Sequence, residues 1–200
     1  RKNTATTLGL FCSIFADNPD VGLIIKTNSG TNSSVDRLVT KKKLENLVKQ
    51  VRKSPFPKVY LLHGYLNDKE VSSLYKHPKV KGLISLTHGE GFGLPLLEAA
   101  ACGLPVCATN WSAHTEFLNL GNWTKVRGRL ETIPERKIDR RVWIEGASWA
   151  VPDINDTRET IQNFVLNDKP DTSKLKKAIL ATYSFEKIAS LYDKFWRRWS

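Results

Sequence analysis

Ser85-Leu-Thr-His-Gly-Glu90-Gly-Phe-Gly-Leu-Pro-Leu-Leu-Glu98-Ala-Ala-Ala-Cys-Gly103-Leu-Pro-Val-Cys107 packs two carboxylates and a glycine-rich turn into one strand–loop–helix–strand passage. The apolar run 82–86 reads as a short buried strand, and the glycines between Thr87 and Gly93 permit backbone conformations that a Cβ would forbid. A helix follows: Pro95 suits its first turn, Leu94, Leu97, Ala101 and Cys102 supply an apolar face, Gly103 is a ready C′ residue, and Pro105 blocks continuation before a strand at 106–109. The first-turn N–H groups near Phe92 to Leu94 then point out of the carboxyl end of a strand, a place that attracts anions and hydroxyls. Glu98 shares a side with Leu94 and Ala101, so it reads as a buried carboxylate in need of a partner. That partner is a lysine or arginine in one reading, ligand hydroxyls in the other.

The pattern Glu-Gly-Phe-Gly-Leu-Pro-x-x-x-Glu-Ala-x-x-x-Gly-x-Pro-Val, with seven residues between Glu90 and Glu98, resembles the donor-site signature of retaining glycosyltransferases with the GT-B fold. The resemblance implies a nucleoside diphosphate sugar as substrate and no cofactor or metal. Glu90 would lie against the transferred sugar, Glu98 would hold the ribose, and the backbone of Gly91, Phe92, Gly93 and Leu94 would take sugar and diphosphate oxygens. It extends to Arg1-Lys2-Asn3, where Lys2 would contact the diphosphate, and to His63-Gly-Tyr65-Leu66, where Tyr65 and Leu66 would meet the base. His88, beside Glu90, would hydrogen-bond donor sugar or phosphate. Transfer would retain anomeric configuration, with Glu90 orienting hydroxyls and balancing positive charge on the sugar rather than acting as nucleophile.

Strand patterns near 21–26, 59–63, 82–86 and 105–109 alternate with helical ones near 4–16, 41–53, 68–76 and 94–102. This alternation predicts an α/β fold with a Rossmann-like, doubly wound parallel sheet, whose ligands sit at the carboxyl ends of the strands. Two hundred residues with 40% hydrophobic content suit one domain, 1–200. The chain has no methionine and opens at Arg1 with a helix, so it reads as a fragment. By the resemblance it is a C-terminal domain, with its first strand and the N-terminal acceptor domain lying elsewhere. A non-catalytic sugar-nucleotide-binding module, or weak donor hydrolysis alone, is the alternative to a working transferase.

Ser184 is a natural N-cap for a terminal amphipathic helix, 184–200, whose stripe of Phe185, Ile188, Leu191, Tyr192, Phe195 and Trp199 reads as packing on this domain. Docking on the acceptor domain or on an anionic membrane are its other uses. The net charge of +11 raises nucleic-acid binding as a remote alternative. However, Lys41 to Lys43 sit on the polar side of a helix whose apolar face is Leu44, Leu47, Val48 and Val51, and acidic residues dilute the cluster from Arg127 to Arg141. The expectation is therefore no nucleic acid, and work beside acidic lipid or polymer instead, with a peripheral membrane or polysaccharide acceptor. Three cysteines without zinc spacing suit a reducing, cytoplasmic setting, at or near the membrane surface. The stretch from Gly121 to Pro152 carries no function in this reading.

Overall fold

The computed structural model describes residues 1–139, 143–167 and 169–199; Arg140 and Arg141 of the basic cluster and Ser200 of the terminal segment lie outside them. The described chain divides into two compact units: residues 2–71, and Arg1 with residues 72–200.

In the first unit, α1 (Thr4–Ile14) precedes β1 (Gly22–Thr27), α2 (Ser34–Val51) and β2 (Lys58–His63). β1 and β2 pair in parallel, Gly22 opposite Lys58 through Thr27 opposite His63, with α2 as the crossover. Leu8, Phe11 and Phe15 of α1 and the residue after it are buried, with the two phenyl rings 4.8 Å apart. The half-buried side of α2 is the expected Leu44, Leu47, Val48 and Val51, and Lys41 to Lys43 are exposed. The helix starts at Ser34, seven residues before the expected start at 41, and in that first stretch Thr40 is buried while Arg37 is exposed. Ser33 caps it, its hydroxyl accepting from the Asp36 N–H at 3.1 Å. Asp36 in turn accepts from His63 Nε2 at 2.8 Å, and this hydrogen bond, foremost among several causes, holds the Asp36 carboxyl below its ordinary range.

Helix α3 (Asp68–Lys76) is opened by a reciprocal cap: Asn67 Oδ1 accepts from the Glu70 N–H, and Glu70 Oε2 from the Asn67 N–H. In the second unit, β3 (Leu83–Ser85), α4 (Leu94–Ala101), β4 (Val106–Thr109), α5 (His114–Leu118) and β5 (Thr124–Val126) form two successive βαβ crossovers. Their strands pair in parallel in the order β3-β4-β5. An antiparallel ribbon follows, β6 (Gly128–Thr132) with β7 (Ser148–Pro152), occupying the stretch that carried no reading in the sequence. Then come α6 (Ile154–Leu166), α7 (Ser173–Tyr183) and α8 (Phe185–Trp196). The chain is thus α/β with parallel strands, as expected.

The second unit is built around Leu96, Ala99, Ala100, Val106, Phe117, Leu118, Leu175 and Ile179. Burying each large apolar side chain there contributes about 1.5–3 kcal/mol. Gly103, at φ +82°, ends α4 in the left-handed conformation as anticipated. Two expectations fail. The buried side of α4 is Leu96, Ala99 and Ala100, not Leu94 and Ala101, so Glu98 is exposed. The helix is apolar almost all round, and periodicity alone could not choose its inner face. α8 is capped by Ser184 as expected, its hydroxyl accepting from the Lys187 N–H, yet none of its residues is buried. Amphipathic spacing states that a face wants cover, not what covers it.

Candidate functional site

Glu90 ends the loop after β3 and is only 8% exposed. Its backbone is fixed by a residue the sequence did not single out. The Ser112 hydroxyl accepts from the Glu90 N–H at 2.9 Å and donates to the Glu90 carbonyl at 2.7 Å. Ser112 holds φ at +86°, a conformation costly for a residue with a Cβ, and strain of this kind gathers at functional loops. A lone serine after a tryptophan gives no sequence signal for such a role. Upstream, the buried Thr87 hydroxyl lies within hydrogen-bond distance of the Arg1 and Gly89 carbonyls, and the His88 N–H donates to Arg1 at 3.0 Å.

The turn after Glu90 is shaped by two different glycines. Gly91 is exposed, and a Cβ there would meet nothing within 4 Å. Gly93, at φ +94°, is the N-cap of α4; a Cβ there would stand 2.9 Å from His114 Cβ. Between them Phe92 is 38% exposed, with its ring 5.5 Å from Phe117 and 6.0 Å from Tyr183. Leu94 is 57% exposed. The Gly93 carbonyl accepts from Leu96 and Leu97, and Pro95 has no N–H to offer. The first-turn amides of Phe92 to Leu94 are therefore those the start of α4 leaves for something other than its own ladder.

Glu98 stands one helical turn on, at the same longitude as Leu94 and Ala101. Burial, with the Glu98 charge as the second cause, pushes the Tyr75 hydroxyl up to about 12, which places the carboxylate near Tyr75. His114 is fully buried with Nε2–H donating to the Thr109 carbonyl at 2.8 Å, and so acts as a fixed wall beneath Gly93.

His88 is held more tightly than its place in a glycine-rich loop suggested. Its Nδ1–H donates to the Ala150 carbonyl at 2.7 Å, the Ala150 N–H donates back to the His88 carbonyl at 3.0 Å, and its ring stacks on Trp149. Thus the second unit gathers His88, Glu90, Gly91, Phe92, Gly93, Leu94 and Glu98 on one loop and helix start. Lys2, Tyr65 and Leu66 belong to the first unit. There Lys2 is exposed, Tyr65 is 76% exposed with its N–H donating to Asn32 Oδ1 at 2.9 Å, and Leu66 is half-buried.

Among the described residues no cluster of three His, Cys, Asp or Glu could hold a metal ion, and no helix is long and apolar enough to cross a membrane. Cys107 is buried, and burial pushes its thiol up to about 12. A shallow cleft of about 410 Å³ beside β6 is lined by Arg127, Arg129, Asp153 and Asp156; Arg127 pairs with Asp156 there, and Asp153 caps α6.

Residues 40–130 match the family described as Glycosyl transferases group 1. The chain is 36% identical over 125 residues to the Serotype-specific mannosyltransferase WbdA of Escherichia coli, a match covering 62% of this chain and 14% of that protein. Among solved structures, sucrose-phosphate synthase from Thermosynechococcus elongatus superposes with a TM-score of 0.63 at 17% identity, over 99% of this chain and 43% of the other. The pneumococcal O-GlcNAc transferase GtfA, solved in complex with UDP and GlcNAc, gives 0.55 at 13% identity, over 96% of this chain and 32% of the other. The chain therefore spans a minor part of each relative's length. Residues 40–130 are thus similar to the glycosyl transferases group 1 family, and the fold resembles that of the GT-B glycosyltransferase structures it superposes on.

Proposed function

We propose that the chain is the donor-binding half of a retaining glycosyltransferase that takes a sugar from a nucleoside diphosphate sugar. The observation carrying this reading is the Glu90 loop: a buried carboxylate, its backbone clamped by Ser112, followed at once by open amides where left-handed Gly93 starts α4. Such a site offers hydrogen-bond acceptance for sugar hydroxyls and donation for diphosphate oxygens within one turn of chain. Glu90 orients the sugar and stabilises positive charge developing on it. Glu98, exposed one turn along α4, accepts from ribose hydroxyls. His88 serves the sugar or phosphate. Helix amides hold the diphosphate without a metal or other cofactor.

The match to a mannosyltransferase makes mannose the first sugar to try. The acceptor is bound by a companion N-terminal domain, with a peripheral membrane or polysaccharide acceptor at the cytoplasmic membrane surface as the expected setting. The uncovered apolar stripe of α8, where Phe195 is 53% exposed, is assigned to that companion. The test is incubation with UDP, GDP and ADP conjugates of mannose, glucose and N-acetylglucosamine, reading released sugar and its anomer by NMR. Release of the retained anomer from one conjugate supports the reading; release of the inverted anomer contradicts it. Binding without turnover favours the alternative, a sugar-nucleotide-binding module that needs its partner domain.

A further inference from the structure

The ribbon β6–β7 is joined to the Glu90 loop by more than proximity. Ala150 of β7 exchanges two hydrogen bonds with His88, one from each residue, at 3.0 and 2.7 Å. Since a backbone carbonyl only accepts, Nδ1 carries a proton, and Nε2 is the ring nitrogen left for a ligand. The ring is clamped flat on Trp149, centroids 4.1 Å apart and planes 11° apart. Trp149 is buried and meets Trp143 edge to face at 5.5 Å and 89°. Trp143 Cη2 stands 3.6 Å from where a Cβ on Gly89 would be, and the Ser112 hydroxyl, which clamps Glu90, stands 3.6 Å from the same point. Trp143 is only half-buried, whereas Trp123 and Trp149 are buried.

We infer that the β6–β7 ribbon forms a saccharide-binding wall of the Glu90 site, with Trp143 as the aromatic platform and Trp149 as the residue that positions it and His88. A pyranose presents a patch of C–H groups on one face and hydroxyls at its rim. An aromatic surface beside a carboxylate and an imidazole ring matches both parts. The sugar is that of the donor or of an acceptor saccharide; the chemistry is common to both. This inference rests on the reading of Glu90 as a sugar-facing carboxylate.

The test titrates the full chain, Trp143→Ala and Trp143→Phe with three probes: a nucleoside diphosphate, its mannose conjugate, and methyl α-mannoside, the last followed by saturation transfer to its C–H protons. Circular dichroism establishes that the variants fold. The expected result is a loss of about three- to tenfold for the conjugate in Trp143→Ala, partial recovery in Trp143→Phe, and unchanged affinity for the nucleoside diphosphate. A loss confined to the glycoside supports the wall and assigns it to the acceptor. Equal losses for nucleotide and conjugate, or none for any probe, overturn it. Trp143-dependent glycoside binding by a chain that takes up no nucleotide would leave the wall standing and remove the proposed function. A chain that binds none of the three removes both.

Discussion

Gly91 and Gly93 stand two residues apart in one turn, and the structure assigns them opposite sensitivities. Alanine at Gly93 must adopt φ +94°, which costs a residue with a Cβ about 1–2 kcal/mol. Its methyl would also stand 2.9 Å from His114 Cβ and 3.2 Å from Leu96 Cδ1. The His114 Cβ cannot swing aside, being the root of a fully buried ring tied to the Thr109 carbonyl, so overpacking adds about 1–3 kcal/mol. Gly93→Ala should therefore destabilise the second unit by about 2–5 kcal/mol. Gly91 is not among the left-handed residues and a methyl there meets nothing within 4 Å. Gly91→Ala should change stability by under about 1 kcal/mol, through the unfolded chain alone. The open space its methyl enters is where the donor would lie, so the same variant should weaken sugar-nucleotide binding by about tenfold or more, the cost of a modest clash. Urea unfolding followed by linear extrapolation, with calorimetric titration of the donor, reads both quantities. Equal stability losses for the two variants, or a Gly93→Ala chain as stable as the parent, would refute the reasoning.

Two further outcomes are expected. Glu90→Gln keeps the shape and hydrogen-bonding reach of the side chain but removes its charge, so nucleotide affinity should stay within about twofold while donor turnover falls at least about a hundredfold, the scale seen when one electrostatic group is lost from an active site; a single-turnover assay on the chain with its acceptor domain checks it, and undiminished turnover would count against a sugar-facing Glu90. Burial pushes the Cys107 thiol from 9.0 and the Tyr75 hydroxyl from 10.0 up to about 12, so the unfolded chain gives up these protons first and binds fewer than the native one. The contribution of these two groups should thus be level below pH 9 and fall progressively from pH 9 toward 12, with Cys107→Ala reducing the earliest part of that fall in thermal melts across the alkaline range; a profile unaltered by the substitution would contradict the assignment.

The strand and helix pattern was legible because apolar runs alternate with amphipathic ones. The ends of α4 were legible because Pro95 and Gly103 have conformational meanings that do not depend on context. Other features depended on tertiary partners. α4 is apolar on nearly every side, and its inner face was decided by Phe117, Leu175 and Ile179, which no local spacing foretells. The start of α2 was hidden because Thr40 is buried through a hydrogen bond to Ser29 rather than through apolarity. Ser112, Trp143 and Trp149 reach the Glu90 loop from later in the chain, Trp149 through antiparallel pairing opposite Glu131, and nothing near them in sequence says so.

The proposed function makes the start of α4 and Glu98 a nucleotide-sugar donor site. Isothermal titration of the chain and of Glu98→Ala with UDP, GDP, ADP and their sugar conjugates tests it most directly. Because Glu98 is exposed, its loss should leave the fold intact. Selective binding of one nucleotide by the parent chain is expected, weakened about tenfold or more in Glu98→Ala by loss of charge-assisted hydrogen bonds to the ribose. Nucleotide affinity unchanged by that substitution, or no nucleotide bound at all, would contradict it.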